Sequence, residues 1–248
     1  MTPTGPAELL ATWEAGLAQH GSGRSLLLHR AARPGAATDT LLSLPVGERE
    51  ADLFALRRAL FGERMQVRAE CGACGAAMEF DLDATAFGAR GPGRDGPLRV
   101  TEGEWVVEFR LPTVADLAAA GAAADVAEAR RLLVARCTVS AVRDGAAAPP
   151  ERLAELLPVG VQRRLAEAAA EADPAAEVTL NVSCPECGGA TAAELDISSY
   201  LWAELDTWAR DLLLDVHLLA TAYGWSEPEI LALSPLRRRY YLELCADV

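Results

Sequence analysis

The chain contains no lysine, and aromatic residues fill only 6% of its 248 positions. All 23 basic residues are arginine; beside so much alanine and glycine, this reads as the coding bias of a GC-rich genome rather than selection at a site. Histidine is scarce as well. His20, His29 and His217 are dispersed, and no Ser-His-Asp or Cys-His constellation can be built from them. No phosphate-binding or dinucleotide glycine fingerprint occurs. Acidic pairs such as Asp81/Asp83 and Glu227/Glu229 read as solvated or capping groups. Together these absences argue against an enzyme. No apolar run approaches the ~20 residues that a membrane-spanning helix needs. Met1–Leu10 lacks the basic stretch and apolar core of a secretory signal, so the expected setting is soluble and cytoplasmic.

What is present is acid and alanine. Thirty-six carboxylates against 23 arginines leave a net charge of −13 and a pI near 4.7. That balance does not suit a protein whose main task is to grip a phosphate backbone. Hydrophobic residues make up 51% of the chain, enough for a core, and the length allows one large domain or two small ones.

The strongest chemical signal is cysteine. Of Cys71, Cys74, Cys137, Cys184, Cys187 and Cys245, four form two Cys-x-x-Cys pairs, and in a reducing compartment such pairs point to metal rather than disulfides. Both pairs have the same surroundings: an alternating segment, the pair with a glycine after it, and a second alternating segment. Met65–Glu70 and Met78–Leu82 flank the first pair; Glu177–Val182 and Thr191–Ile197 flank the second. Strand, knuckle, strand is half of a zinc ribbon, and two halves make a whole one. Two intervening residues let both sulfurs of a turn face one point, and glycine lets the backbone turn back without a Cβ clash. Four thiolates at ~2.3 Å would complete a tetrahedral Zn2+ site and leave no position for water or substrate. Such a closed site is structural, and contributes on the order of 10 kcal/mol in isolated zinc fingers. An iron–sulfur cluster or a redox-active pair are the other readings of these cysteines. Cys137 and Cys245 read as small buried residues in helices.

The expected fold is α+β: a split four-cysteine zinc ribbon of short antiparallel strands, with a helical and hairpin insertion and a helical C-terminal region. Residues 1–64 form a mostly helical segment, 65–83 and 177–197 the two halves of the ribbon, 84–176 the insertion, and 198–248 a C-terminal helical module. Within the first segment, Leu9, Leu10, Trp13 and Leu17 mark a helix that breaks at Gly21–Gly23. Ser25–Arg30 is open between strand and helix, Arg33–Thr40 is a loop, and Gly47–Phe61 is a helix. In the insertion, Leu98–Thr101 and Trp105–Leu111 read as a hairpin around Gly103. Thr113 and Asp116 form a capping box. Helices follow over Val114–Ala120, Asp125–Val139 and Glu151–Ala172, with a loop at Gly145–Pro150.

At the C-terminus, Leu201, Leu205, Trp208, Leu212, Val216, Leu219 and Tyr223 make one stripe on a long helix. Gly224 stops it. Ser226 and Glu229 cap a short helix, and Ser234-Pro235 start another. That last helix carries Arg237, Arg238, Arg239, Tyr240 and Tyr241; with Trp225, these are residue types favoured at protein interfaces and form a candidate partner interface.

The stretch from Asp215 to Leu244, with its Gly224-Trp225-Ser226 turn and two capped helices, resembles a module of small phage tail assembly proteins. Together with the knuckle at Cys71–Asp83 and Leu44–Glu50, the chain is similar to the baseplate (hub) assembly proteins and chaperones of contractile phage tails and phage-derived contractile injection systems. The insertion matches nothing that can be named. The resemblance implies a non-enzymatic assembly factor or minor baseplate component, with Cys71, Cys74, Cys184 and Cys187 as ligands of a structural Zn2+ and with baseplate, hub or spike proteins as partners. The alternative is a zinc-ribbon nucleic-acid-binding or regulatory protein, against which the acidic charge and the few arginines near the knuckles speak.

Overall fold

The structure is a computed structural model and describes residues 5–89, 96–149 and 152–246. The chain divides into two compact units: residues 1–31 with 198–248, and residues 32–197. The expected N-terminal segment is therefore shared between the units, while both knuckles and the insertion between them belong to one.

The unit of residues 32–197 starts with helices α3 (Thr38–Ser43) and α4 (Val46–Phe61). α4 buries Leu53, Phe54 and Leu56 and ends at Gly62, whose φ of 85° is left-handed. Two residues later hairpin β1 (Arg64–Glu70) and β2 (Ala77–Asp83) begins. Its base is tied to α4: Ala84 N–H donates to Glu63 O at 2.7 Å, and Arg58 Nη1 donates to Ala84 O at 3.1 Å.

A four-stranded antiparallel sheet follows, in the order β3 (Leu98–Glu102), β4 (Trp105–Phe109), β5 (Thr138–Arg143), β6 (Ala146–Ala147). Gly103, at φ 58°, makes the tight turn between β3 and β4. Trp105, Val107 and Phe109 alternate inward. They pack with Val100, Ala141, Leu153, Leu157, Val161 and Leu165 in one hydrophobic core of this unit. Between β4 and β5 lie α5 (Val114–Gly121) and α6 (Val126–Cys137). The Thr113–Asp116 capping box forms as expected. Asp116 does more than cap. Its buried carboxylate accepts from Arg110 at 2.5 and 3.1 Å, from Arg136 at 2.7 Å and from Thr113 N–H at 2.9 Å. Burial alone would raise its pKa; the hydrogen bonds from Arg110, Thr113 and Arg136 outweigh that and hold the group well below the usual carboxylate range.

Besides the loops expected at Arg33–Thr40 and Gly145–Pro150, which contain the start of α3 and strand β6, two expectations fail here for physical reasons. The helix predicted to run to Val139 stops at Cys137, and Thr138–Arg143 is strand β5. Its partners are β4, some thirty residues back, and β6, across a tight turn, and these pairings override the helical spacing at Thr138 and Val139. The helix predicted over Glu151–Ala172 is two, α7 (Leu153–Leu156) and α8 (Val159–Ala172). Pro158 disfavours helical backbone at Leu157 and starts α8 instead. Pro150 and Glu151, the expected edges of loop and helix, lie outside the described residues. Asp173 closes α8 and accepts from Gly47 N–H at 2.8 Å, which ties the end of α8 to the first turn of α4; hairpin β7 (Thr179–Ser183) and β8 (Ala190–Glu194) follows. There is no room for a side chain at Gly47, since a Cβ there would collide with the Asp173 carboxylate.

The unit of residues 1–31 and 198–248 is helical. α1 (Pro6–Leu17) and α2 (Ser22–Ala32) pack with α9 (Ile197–Tyr223), and α10 (Glu227–Leu231) and α11 (Pro235–Ala246) follow. Residues 25–30 are thus helix. Trp202 seats against Gly16, where a Cβ would strike its ring, and Arg24 stacks 4.4 Å from the ring centroid. Trp13 Nε1 donates to Asp206 at 2.8 Å. The predicted stripe buries Leu201, Leu205, Leu212 and Leu219 and reaches the surface at Tyr223.

Candidate metal centre

The two cysteine pairs sit at the tips of the two hairpins, which pair Arg64 with Asp83 through Glu70 with Ala77, and Thr179 with Glu194 through Ser183 with Ala190. Each tip is the same turn. Cys71 N–H donates to Ala76 O at 2.9 Å and Gly75 N–H to Cys71 O at 2.8 Å; Cys184 N–H donates to Gly189 O and Gly188 N–H to Cys184 O, both at 2.9 Å. Gly75 and Gly188 have φ of 72° and 71°, a region that costs a residue with a Cβ roughly 1–2 kcal/mol.

The two turns converge. Cys71 Sγ lies 3.7 Å from Cys187 Sγ, and Cys74 Sγ lies 3.7 Å from Cys184 Sγ. All four sulfurs fall within 4.8 Å of one another. A disulfide needs ~2.05 Å. Sulfurs held ~2.3 Å from a central ion at tetrahedral angles stand ~3.8 Å apart, so the spacing suits one four-coordinate ion. Both close pairs join one knuckle to the other. The first cysteine of each knuckle is buried and the second exposed. Met78 completes the small core under the sulfurs, with Ala69, Ala76, Phe80 and Val182 against it.

The electrostatics also favour a cation. Backbone N–H groups of Cys74 and Ala73 and the Thr191 hydroxyl stabilise the Cys71 thiolate and bring its pKa down to about 6. The Ala76 N–H acts the same way on Cys74, but the crowding sulfurs of Cys187, Cys71 and Cys184 push that thiol up to about 12. Deprotonating all four sulfurs this close together is opposed by their mutual repulsion, which a bound dication would relieve. Thr191, whose hydroxyl lies 3.7 Å from Cys71 Sγ, has no signal in the sequence pattern. Gly189 does have one, the doubled glycine after Cys187, and its role shows only in three dimensions: a Cβ there would stand 3.3 Å from Ala73 of the other knuckle. Cys137 is buried in α6, where desolvation pushes its thiol to about 11, and Cys245 is half-buried on α11. Neither belongs to the four-sulfur group.

A family model, that of the T4 bacteriophage base plate protein, matches residues 31–200. The chain belongs to the T4 bacteriophage base plate protein family. The match spans both knuckles and takes in the whole insertion, which by sequence resembles nothing nameable, so in this base plate protein the insertion is family structure. It stops short of residues 215–244, whose resemblance to tail proteins therefore lies outside the matched region. No curated protein and no solved structure matches the chain. No helix among the described residues is long and apolar enough to cross a membrane.

The residues of the candidate interface separate by helical geometry. Trp225 stacks on Tyr223 at 4.7 Å and meets Tyr241 edge-on at 4.8 Å, while Arg238 is mostly covered and pairs with Asp215 at 3.0 Å. Trp225, Tyr241 and Arg238 hold α11 against the end of α9. Arg237, Arg239 and Tyr240 are exposed, with Arg239 paired to Glu243 at 2.9 Å. Leu236, Tyr240 and Leu244, one turn apart, present an apolar stripe at 65, 60 and 59% exposure.

Proposed function

We propose that this base plate protein is a non-enzymatic assembly factor or minor structural component of a contractile, phage-like injection apparatus, in which Cys71, Cys74, Cys184 and Cys187 hold a structural Zn2+. The observation that carries the reading is the four-sulfur group, which joins knuckles whose Cys74 and Cys184 stand 110 residues apart in sequence, within the region that matches the family. A tetrahedral all-thiolate site has no open position, and so offers an ion for holding a shape and none for polarising a substrate. Zinc suits it better than an iron–sulfur cluster, because ligands bound to different irons would stand further apart than 3.7 Å. The outward residues Arg237, Arg239 and Tyr240, with Leu236 and Leu244, supply a face for baseplate, hub or spike proteins. Cations suited to a phosphate backbone are few at the knuckles. Arg64 pairs with Asp81 at 2.6 Å and Arg68 with Glu79 at 2.8 Å, and residues 177–197 contain no arginine.

Two measurements test the proposal. Elemental analysis of the purified full chain should find one zinc per molecule, and well-folded protein free of metal would end the zinc reading. Deletion of the gene should abolish assembled particles, with restoration by the intact gene. Normal particle yield without the protein would end the assembly role.

A further inference from the structure

A groove in the unit of residues 32–197 has walls made by α6 and α8 and a volume of about 480 Å³. Its floor is Phe109, Cys137 and Leu165, all buried. α6 contributes Ala129, Leu133 and Val134, and α8 contributes Ala166 and Ala169. Each wall follows helical spacing, so the groove runs along two apolar stripes, and Val126 at its edge stands 86% exposed. Inside, polar anchors are nearly absent. The Gln162 amide is already committed, donating to Leu157 O at 2.8 Å and to Ala154 O at 3.4 Å. A small-molecule site would place a few convergent polar groups within the pocket; here the charges sit on the rim.

Those charges have one sign. In a chain of net charge −13, the rim carries Arg110, Arg130 and Arg163. Arg110 is engaged with Asp116. Arg163 only approaches Glu167, at 3.6 Å in solvent, and the Arg130 side chain has no ion-pair partner among the described residues. An apolar floor, small alanines on both walls and cations along the edge are what an amphipathic helix with acidic flanks would meet: apolar anchors one turn apart go into the groove, and carboxylates stay outside against arginine.

We propose that the α6–α8 groove is a docking site for an acidic amphipathic helix of a partner protein. The site goes beyond the baseplate reading above and stands on its own geometry. It would survive the absence of metal at the cysteines, and the test below does not read metal content.

The probe is a fluorescein-labelled synthetic 18-residue helix with leucines at i, i+3, i+4 and i+7 and glutamates beside them; the control carries lysines in place of the glutamates. Anisotropy titration of the intact protein should show saturable one-to-one binding of the acidic helix, at least ten-fold tighter than the basic one. The double change Arg130→Glu/Arg163→Glu should weaken the acidic helix at least ten-fold, and Ala166→Trp should block it. All three positions are exposed, and an unchanged circular dichroism melt keeps each variant informative. Equal affinity for the two helices, or an unaffected charge-reversal variant, overturns the proposal. So does saturable binding of dodecanoate that Ala166→Trp blocks without any helix binding, which would assign the groove to a small amphiphile. A concentration-dependent dimer lost in Ala166→Trp would assign it to a second copy and overturn the proposal likewise.

Discussion

Two β regions of the same unit are built on different principles. The β3–β6 sheet packs Trp105, Val107, Phe109 and Ala141 against Leu153, Leu157, Val161 and Leu165 of the helical segments beside it. The two hairpins bury little at their tips beyond Met78 and two cysteine sulfurs. Fully burying one large aliphatic side chain contributes roughly 1.5–3 kcal/mol, so the sheet has a core of its own, while an isolated two-stranded hairpin is marginal in water. The sheet is held by area, and the hairpins by four donor atoms suited to an ion. The first base is fastened to α4 through Ala84, and the segment leading into the second through Asp173, so on the proposed metal reading loss of the ion should release the tips and leave the rest.

The largest expected effect breaks this contrast if it fails. Cys184→Ser, or treatment with a chelator, should remove bound metal and abolish amide-exchange protection at the knuckle ends of β1, β2, β7 and β8. Protection in β3, β4 and β5 should persist. Loss of all strands together would mean that the sheet depends on the ion as well.

On the sheet side, Asp116 is the sharpest target. Asp116→Ala removes the carboxylate shared by Arg110 and Arg136, whose side chains are 40 and 43% exposed and stay solvated, and should cost about 1.5–3 kcal/mol in urea unfolding, with metal content unchanged. The group also predicts an acid limb. Because its folded pKa lies below the ordinary carboxylate value of ~3.9, its contribution is present above that pH. It is lost as the pH falls toward the folded value. Asp116→Asn should flatten this part of the stability profile below about pH 4.

The two regions also differ in how much of them the sequence displays. Knuckles, the capping boxes at Thr113/Asp116 and Ser226/Glu229, and the stripe on α9 are written in residues three or four apart, and local chemistry decides them. β5 is not. The alanine-rich helical pattern of α6 runs into Thr138–Arg143, whose Thr138, Val139 and Val142 suit a strand, and the place where helix gives way to strand is set by pairing with β4. The break between α7 and α8 is signalled by Pro158 and masked by the alanine spacing around it. The repeated grammar of the pairs makes two matching turns legible, but that turns so far apart in sequence meet is decided by the tertiary fold. The convergence of Arg110 and Arg136 on Asp116, and the groove between α6 and α8, follow from tertiary placement that no short window contains.

Between the extremes lies the tie that joins the end of α8 to α4. Gly47→Ala drives a methyl into the Asp173 carboxylate and displaces the hydrogen bond from Gly47 N–H; a cost of about 1–3 kcal/mol is expected, measured as a shift in the urea midpoint. Next come the knuckle turns. Gly75→Ala and Gly188→Ala each force a left-handed alanine, at roughly 1–2 kcal/mol. Because metal binding and folding of such sites are linked, that strain should emerge as roughly five- to thirty-fold weaker metal affinity in a competition titration with a chromogenic chelator. Near equality of the two variants would confirm that the turns are the same structure built twice.

The smallest effect tests whether cross-strand ion pairs share the work of the sulfurs. Arg64–Asp81 and Arg68–Glu79 lie on the open face of the first hairpin, with both arginine side chains 79% exposed. Pairs of this kind lose in side-chain ordering most of what they gain in attraction, and salt screens the rest. Arg68→Ala and Arg64→Ala should therefore leave the melting midpoint and the metal stoichiometry unchanged within error, in low salt and in high. A clear loss of midpoint that vanishes with added salt would show that the hairpin leans on its charges, and the division between a region held by area and one held by an ion would have to give way to a third kind of support.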